Sequence, residues 1–200
     1  KSRSAAEPRG LVSMMTGWGC LLAELIMIST DQTERARVQT LQGYGILDTP
    51  NEPEFDAIVR EAARACRTPI ALISFVDESR QWFKAKVGLE PSETPRSISF
   101  CTHAIHGDHV MVVEDARRDP RVTGSPLVTG NPNIRFYAGA PLRTRTGARL
   151  GTLCVIDDQP RTANPRQLKQ LEELAQRVVV LLEQRRERRL RQAAGGANQS

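Results

Sequence analysis

Arg135-Phe136-Tyr137-Ala138-Gly139-Ala140-Pro141-Leu142-Arg143 and Arg149-Leu150-Gly151-Thr152-Leu153-Cys154-Val155-Ile156 flank the turn dipeptide Thr146-Gly147. Two apolar runs joined through a glycine-containing turn predict a β-hairpin. Gly139 and Gly151 fall inside the strands, where a missing side chain marks a bulge or the close approach of another backbone or a ligand. Pro141 has no N–H to give a ladder and belongs at an edge or a bulge.

Working outward, Val110 to Val113 reads as a short strand. Pro69 to Val76 is an almost continuous apolar run, Asp77-Glu78-Ser79-Arg80 is turn-like, and Gln81 to Gly88 alternates. A second strand pair follows, with Trp82, Lys84 and Lys86 on one face and Phe83, Ala85 and Val87 on the other. Helical spacing brackets the strands. Asp31-Gln32-Thr33-Glu34 fits a capping box that opens a helix to about Gln42, stopped by Gly43 and Gly45. Thr49-Pro50 announces a second helix, whose Phe55, Ile58, Val59, Ala62, Ala63 and Cys66 make one apolar stripe that places Cys66 in the core. The last helix starts near Asn164-Pro165, and Leu168, Leu171, Ala175, Val178 and Leu182 occupy heptad a and d positions. Either its own domain or a partner helix in a homodimer would cover that stripe. Helices, a mostly antiparallel sheet and a long closing helix describe an α+β domain with its helices gathered on one face.

The chain has 200 residues, 40% hydrophobic and 26% charged, enough for one domain with a substantial core. Its net charge of +5 is concentrated in Arg185, Arg186, Arg188, Arg189 and Arg191, while the rest is nearly balanced. Basic residues are not scattered among aromatics over the fold, which argues against a nucleic-acid partner. Four cysteines, Cys20, Cys66, Cys101 and Cys154, form no C-x-x-C pair and indicate neither a zinc ribbon nor a disulfide framework. The cytoplasm is the expected compartment. The apolar stretch Leu11 to Ile28 is interrupted by Glu24, so neither a signal peptide nor a membrane anchor is expected. The domain boundaries follow as an extension over 1–30, expected either to lack fixed structure or to be an upstream addition foreign to the domain, a domain over 31–182, and an Arg-rich helix end with a disordered tail over 183–200.

Leu47-Asp48-Thr49-Pro50, Phe55-Asp56-Ala57-Ile58-Val59, Ile73-Ser74-Phe75-Val76-Asp77, Arg80-Gln81-Trp82-Phe83, Ser99-Phe100-Cys101-Thr102-His103-Ala104-Ile105 and the two hairpin strands occur in that order. This series resembles the GAF domain family over about Glu34 to Leu182, in the branch found at the front of bacterial sensor histidine kinases and diguanylate cyclases. The resemblance implies a central antiparallel sheet of about five or six strands, with helices from both chain ends on one face. On the other face it implies a ligand pocket beneath the segment near Phe100 to Leu127. It also implies a sensory role in two-component or cyclic-di-GMP signalling, with output through the terminal helix to a kinase or cyclase partner. No effector catalytic sequence follows that helix, so the chain itself is not expected to be an enzyme and would either signal to another protein or be a piece of a longer one.

Within this frame Phe100, Cys101, His103, Arg135, Tyr137 and Thr152 are the candidate pocket residues. Cys101-Thr102-His103 could form an activated nucleophile, but no third orienting group accompanies it. Bilin-attaching GAF domains carry Cys immediately followed by His, a pattern absent here. His103, His106 and His109 recur every third residue and could join Cys101 around zinc or haem, although Gly107-Asp108 should break the helix before His109. No metal or cofactor is expected. Arg96 and the segment Asp115 to Arg121 could meet an anion, with Asp115 and Asp119 better suited to holding the turn. A free methionine sulfoxide reductase, known on one GAF branch, and a ligand-free dimerisation adaptor are the competing readings.

Overall fold

The computed structural model describes residues 32–196 and divides into two units between Ala36 and Arg37. Residues 32–36 of the first unit are helical, and the second carries the sheet and its core. The expected cap at Asp31, the extension over 1–30 and residues 197–200 lie outside the described residues.

Helix α1 (32–44) runs through Gly43, and Gly45 follows it with φ 54°, in the left-handed region where a residue without Cβ is at ease. Helix α2 (Pro53–Cys66) begins later than Thr49-Pro50 suggests. Thr49 is held back by its own hydroxyl, which donates to the Ile46 carbonyl at 2.6 Å, leaving Glu52 in extended backbone as the N-cap. Phe55, Ile58, Val59, Ala62 and Cys66 of α2 are buried, as their spacing requires. Helix α5 (Pro165–Gly196) opens on a reciprocal capping box: the Gln167 N–H donates to Asn164 Oδ1 at 3.0 Å and the Asn164 N–H to Gln167 Oε1 at 3.2 Å.

Six strands form one antiparallel sheet in the order β3-β2-β1-β6-β5-β4. They are β1 (Ile70–Val76), β2 (Arg80–Val87), β3 (Glu93–Pro95), β4 (Met111–Val113), β5 (Phe136–Arg143) and β6 (Arg149–Asp157). Short helices α3 (Phe100–Ala104) and α4 (Pro126–Thr129) interrupt the connections between β3 and β5. Both expected hairpins are present. Pro141 sits beyond the reach of β4, which pairs only with Tyr137 to Gly139, and beside a register shift against β6. Gly151 lies against β1 so closely that a Cβ would come 2.8 Å from the Phe75 Cα and closer still to the Ser74 carbonyl.

The sheet separates two cores. Ile73, Phe75, Trp82, Phe136, Leu153 and Val155 pack beneath α1, α2 and α5, while Leu72, Phe83, Tyr137, Cys154 and Ile156 turn to the other face. Strict alternation along β2 fails at Lys84. Ile73 pairs with Ala85 and the next residue, Ser74, with Phe83, so Lys84 is the extra residue of a β-bulge. The bulge puts Ala85 and Lys84 on the helix side, against the expected separation of Lys84 from Ala85.

The Lys84 side chain is fully buried, and its Nζ donates to Glu52 Oε1 at 2.7 Å, the Pro50 carbonyl at 2.6 Å and Thr49 Oγ1 at 2.9 Å. The same Glu52 oxygen accepts from Arg185 Nε at 2.9 Å, and Arg185 and Arg189 also donate to the Gly45 and Gly43 carbonyls, at 2.8 Å and 2.9 Å. Tyr44 donates to Glu183 at 2.6 Å. The Arg-rich end of α5, expected to be helical, clasps the end of α1, and the helix runs on through Gly196, where a disordered tail was expected. The heptad residues Leu171, Ala175, Val178 and Leu182 are buried in the chain's own core, and Leu168 packs partly against it. That stripe is closed by the sheet, so it is not an open seam for a partner helix.

Replacing Gly151 by Ala should cost about 1–3 kcal/mol through overpacking against β1, while Gly43→Ala, where a Cβ meets nothing within 4 Å, should stabilise the chain. Urea denaturation checks both. Glu52→Gln should cost about 3 kcal/mol by leaving the Lys84 charge buried without its carboxylate, and Lys84→Met should cost less. Burial raises the Glu52 pKa, but hydrogen bonds from Lys84 and Arg185 outweigh it and hold the carboxyl below its usual range. Its contribution to stability is thus complete above the ordinary carboxylate range and lost as the pH falls through the lower folded-state value. Acid unfolding curves of the wild type should show that loss, and those of Glu52→Gln should lack it.

Candidate functional site

The face of the sheet turned away from α1, α2 and α5 carries a cavity of about 680 Å³. Period-two side-chain geometry builds its floor: Leu72 from β1, Phe83 from β2, Tyr137 from β5 and Ile156 from β6 point the same way. Phe100 of α3 stands over Tyr137 with ring centroids 5.3 Å apart. Leu127 of α4, Asn131-Pro132 and the loop from Gly88 to Pro91 complete the wall.

Few polar groups reach this space. Gln81 accepts a hydrogen bond from the Ser99 hydroxyl, which in turn caps α3 by accepting from the Thr102 N–H at 3.2 Å. Thr94 Oγ1 is buried at the wall and has no hydrogen-bond partner, the kind of orphan atom that a bound molecule or water satisfies. Glu90 lies at the rim, where the Lys86 ammonium is engaged by the Glu90 and Pro91 carbonyls. Among the described residues the lining contains no Lys, Arg or His.

Of the six candidate pocket residues, Phe100, Cys101 and Tyr137 line the cavity and three do not. Arg135 turns its guanidinium to the Val128 carbonyl at 2.8 Å and the Ile134 carbonyl at 3.1 Å, bracing the end of α4. Thr152 is fully buried behind the wall, where its hydroxyl donates to Cys101 Sγ at 3.0 Å. His103 faces the turn carrying Asp119 and Arg121, and burial together with the charges of Arg121 and His106 lowers its pKa. Among the described residues no three His, Cys, Asp or Glu side chains converge on a metal-sized point.

Of the arginines considered for an anion, Arg96, Arg117 and Arg121 are also committed, while Arg118 stays exposed. Asp115 accepts the Arg117 N–H at 3.1 Å and grips the same residue's guanidinium at 2.9 and 2.7 Å. Asp119 does the same for Arg121, accepting its N–H at 3.0 Å. Arg96 donates to the Asp77 carbonyl at 3.0 Å. Sequence reading missed Gln81 and Thr94, which a neutral polar residue on a strand does not advertise, and the Lys84–Glu52–Arg185 cluster, which depends on the bulge.

The family model for the GAF domain matches residues 51–182. A cyclic di-GMP phosphodiesterase of Pseudomonas aeruginosa is 45% identical over 152 residues, covering 76% of this chain and 24% of that protein. The chain thus spans about a quarter of the length of that relative. Among solved structures, the GAF domain of an Acinetobacter phosphoenolpyruvate-protein phosphotransferase superposes with a TM-score of 0.57 at 20% identity, over 78% of this chain and 93% of that one. The blue-light absorbing form of the PixJ GAF domain from Thermosynechococcus elongatus gives 0.56 at 16% identity, over 74% and 92%. The last two agree in fold, with the same sheet and flanking helices. With the family's motifs in order and its model matched across the sheet and into α5, the chain belongs to the GAF domain family.

Proposed function

We propose that this GAF domain is the sensory input of a signalling protein, and that it binds a small uncharged molecule in the cavity and passes occupancy to α5. The observation that carries this reading is the position of β2. Phe83 forms part of the cavity floor, and the next residue, Lys84, ties the start of α2 to α5 through Glu52 and Arg185. A ligand that presses on β2 acts directly on the strand holding that cluster. Occupancy shifts α5 only if the ligand binds two arrangements of the cluster unequally.

The lining favours an uncharged ligand. A nucleotide phosphate would enter an apolar cleft whose described lining holds no cation, and at the rim the Lys86 ammonium is already engaged by the Glu90 and Pro91 carbonyls. Cyclic di-GMP, named in the Pseudomonas relative, fits better as the substrate of an output partner than as the ligand of this cavity. The domain regulates and does not itself catalyse. We place it in the cytoplasm as a homodimer acting on such a cyclic-di-GMP enzyme or a kinase. No described helix is long and apolar enough to cross a membrane. With the heptad stripe closed by the sheet, the partner helix would meet the exposed flank of α5 that carries Val180.

Thermal unfolding of the chain against a panel of uncharged heterocycles and a panel of nucleotides including cyclic di-GMP tests the reading. Stabilisation by about 2.7 kcal/mol is expected from an uncharged compound at roughly a hundredfold excess over Kd, and Phe83→Trp, which fills the cavity, should abolish it. Stabilisation by nucleotides alone would contradict the ligand class. If native mass spectrometry of protein from its host cell shows an empty cavity and no panel compound binds, the adaptor reading replaces this one.

A further inference from the structure

Behind the cavity wall two cysteines from distant parts of the chain meet. Cys101 lies in the first turn of α3 and Cys154 in the middle of β6, and their sulfurs are 3.9 Å apart. Both are free thiols and both are buried. Cys101 is part of the cavity lining while Cys154 is not, so a small solute in the cavity meets Cys101 first.

The surroundings of Cys101 are not those of a thiol used as core filler. Such a residue behaves as a small hydrophobe and asks for no hydrogen-bond donors. Here Thr152 Oγ1 donates to the sulfur at 3.0 Å and Tyr137 Oη at 3.3 Å, with Ser74 Oγ placed 3.4 Å from Thr152 Oγ1. Three hydroxyl side chains and a second thiol are thus gathered around one sulfur in an otherwise apolar cluster. Donors converging on sulfur favour its thiolate, the form that reacts with electrophiles. Burial opposes ionisation of Cys101, but hydrogen bonds from Cys154, Ser74, Thr152 and Tyr137 outweigh it. Its hydrogen bond with Cys101, together with burial, pushes the Cys154 thiol up. Burial and the neighbouring sulfurs likewise push up the Tyr137 phenol, which stays protonated and able to donate. The pair is unequal, with a nucleophile at the cavity and a protonated thiol behind it.

We propose that Cys101 and Cys154 form a peroxide-reactive dithiol, in which Cys101 is oxidised at the cavity wall and Cys154 resolves it to an intramolecular disulfide. In the first step the Cys101 sulfur attacks one peroxide oxygen. An S–O bond forms, the O–O bond breaks, and the departing hydroxide takes up the thiol proton as water, leaving a sulfenic acid. In the second step the Cys154 sulfur attacks the sulfenic sulfur. The S–S bond forms, the S–O bond breaks, and the hydroxyl leaves with the Cys154 proton as a second water. Two thiols lose two electrons in all, and one peroxide is reduced to two waters. A small dithiol reductant reverses the change.

Closing the sulfurs from 3.9 Å to about 2.05 Å draws α3 toward β6 and leaves Thr152 and Tyr137 without the acceptor they now share. Oxidation therefore remodels the wall that Cys101 and Tyr137 supply. The dithiol does not depend on the cavity having an organic ligand, so it stands if that reading fails.

The test treats the full chain carrying Cys20→Ser with one equivalent of hydrogen peroxide, then alkylates the remaining thiols and determines intact mass and a peptide map. The expected result is a loss of about 2 Da, a linked pair of peptides containing Cys101 and Cys154, and an alkylatable Cys66. Cys101 should react roughly tenfold faster than Cys66, whose pKa burial raises to about 11. With Cys154→Ser, oxidation should stop at a sulfenic acid on Cys101 that dimedone traps. Circular dichroism of each variant confirms folding, and the peptide map of the chain with both cysteines needs no variant at either position. Oxidation confined to Cys66, or Cys101 passing to the sulfinic acid with Cys154 still alkylatable, would overturn the proposal.

Discussion

A lysine ammonium buried under a sheet is the constraint on which the rest of this domain depends. Taking the Lys84 charge out of water costs several kcal/mol unless it is paired and fully hydrogen-bonded. The chain meets that demand with groups from the segment between α1 and α2: a hydroxyl, a carbonyl and the Glu52 carboxylate. Glu52 then needs only one more cation to serve both sides, and Arg185 supplies it from α5. One charge on one strand thereby fixes where α2 begins, why the preceding residues are not helical, and where the far end of α5 comes to rest. The Phe55 ring beneath the ammonium, 5.4 Å from Nζ, joins this polar knot to the apolar core.

The knot and the cavity share β2. On either side of a sheet, neighbouring residues of one strand face different environments, so Phe83 belongs to the cavity and Lys84 to the helices. The bulge makes the division sharper, because an extra residue increases local twist and leaves the ladder locally less constrained. One face of β2 thus lines the cavity while the other holds the start of α2 and the far end of α5. The polarity of the two faces differs accordingly. Among the described residues no basic side chain lines the cavity, which is left mainly to aromatic and aliphatic groups with Gln81, Thr94, Asn131 and Cys101 and with Glu90 at the rim.

Much of this was legible in the sequence, because strands and helices announce themselves by period. The two hairpins, the α2 stripe and the start of α5 at Asn164-Pro165 follow from spacing and capping chemistry, and Gly151 marked a close backbone approach. The α+β class came from the order of helices and strands, and the family from the order of motifs. Facing was harder. A bulge shifts every later residue of a strand to the other side, and nothing local in Gln81 to Val87 declares one, so strict alternation separated Lys84 from Ala85. Arg135 and Arg185 show the matching difficulty for long side chains. Their backbone positions were predictable, but what a guanidinium reaches depends on carbonyls and carboxylates supplied by remote segments. Phe100, Cys101 and Tyr137 were found because they sit in motifs, and Thr94 was missed because its importance is an unsatisfied hydroxyl visible only in the folded chain.

Coupling between the cavity face and α5 through β2 is the central claim, and a double-mutant cycle measures it most directly. Phe83→Leu alters the cavity floor and Arg185→Gln alters the clasp, and the two residues share no hydrogen bond or salt bridge. Urea denaturation of the wild type, both single variants and the double variant should give an interaction energy of about 0.5 kcal/mol or more. Effects that add to within about 0.3 kcal/mol would show the two faces to be independent and contradict the account.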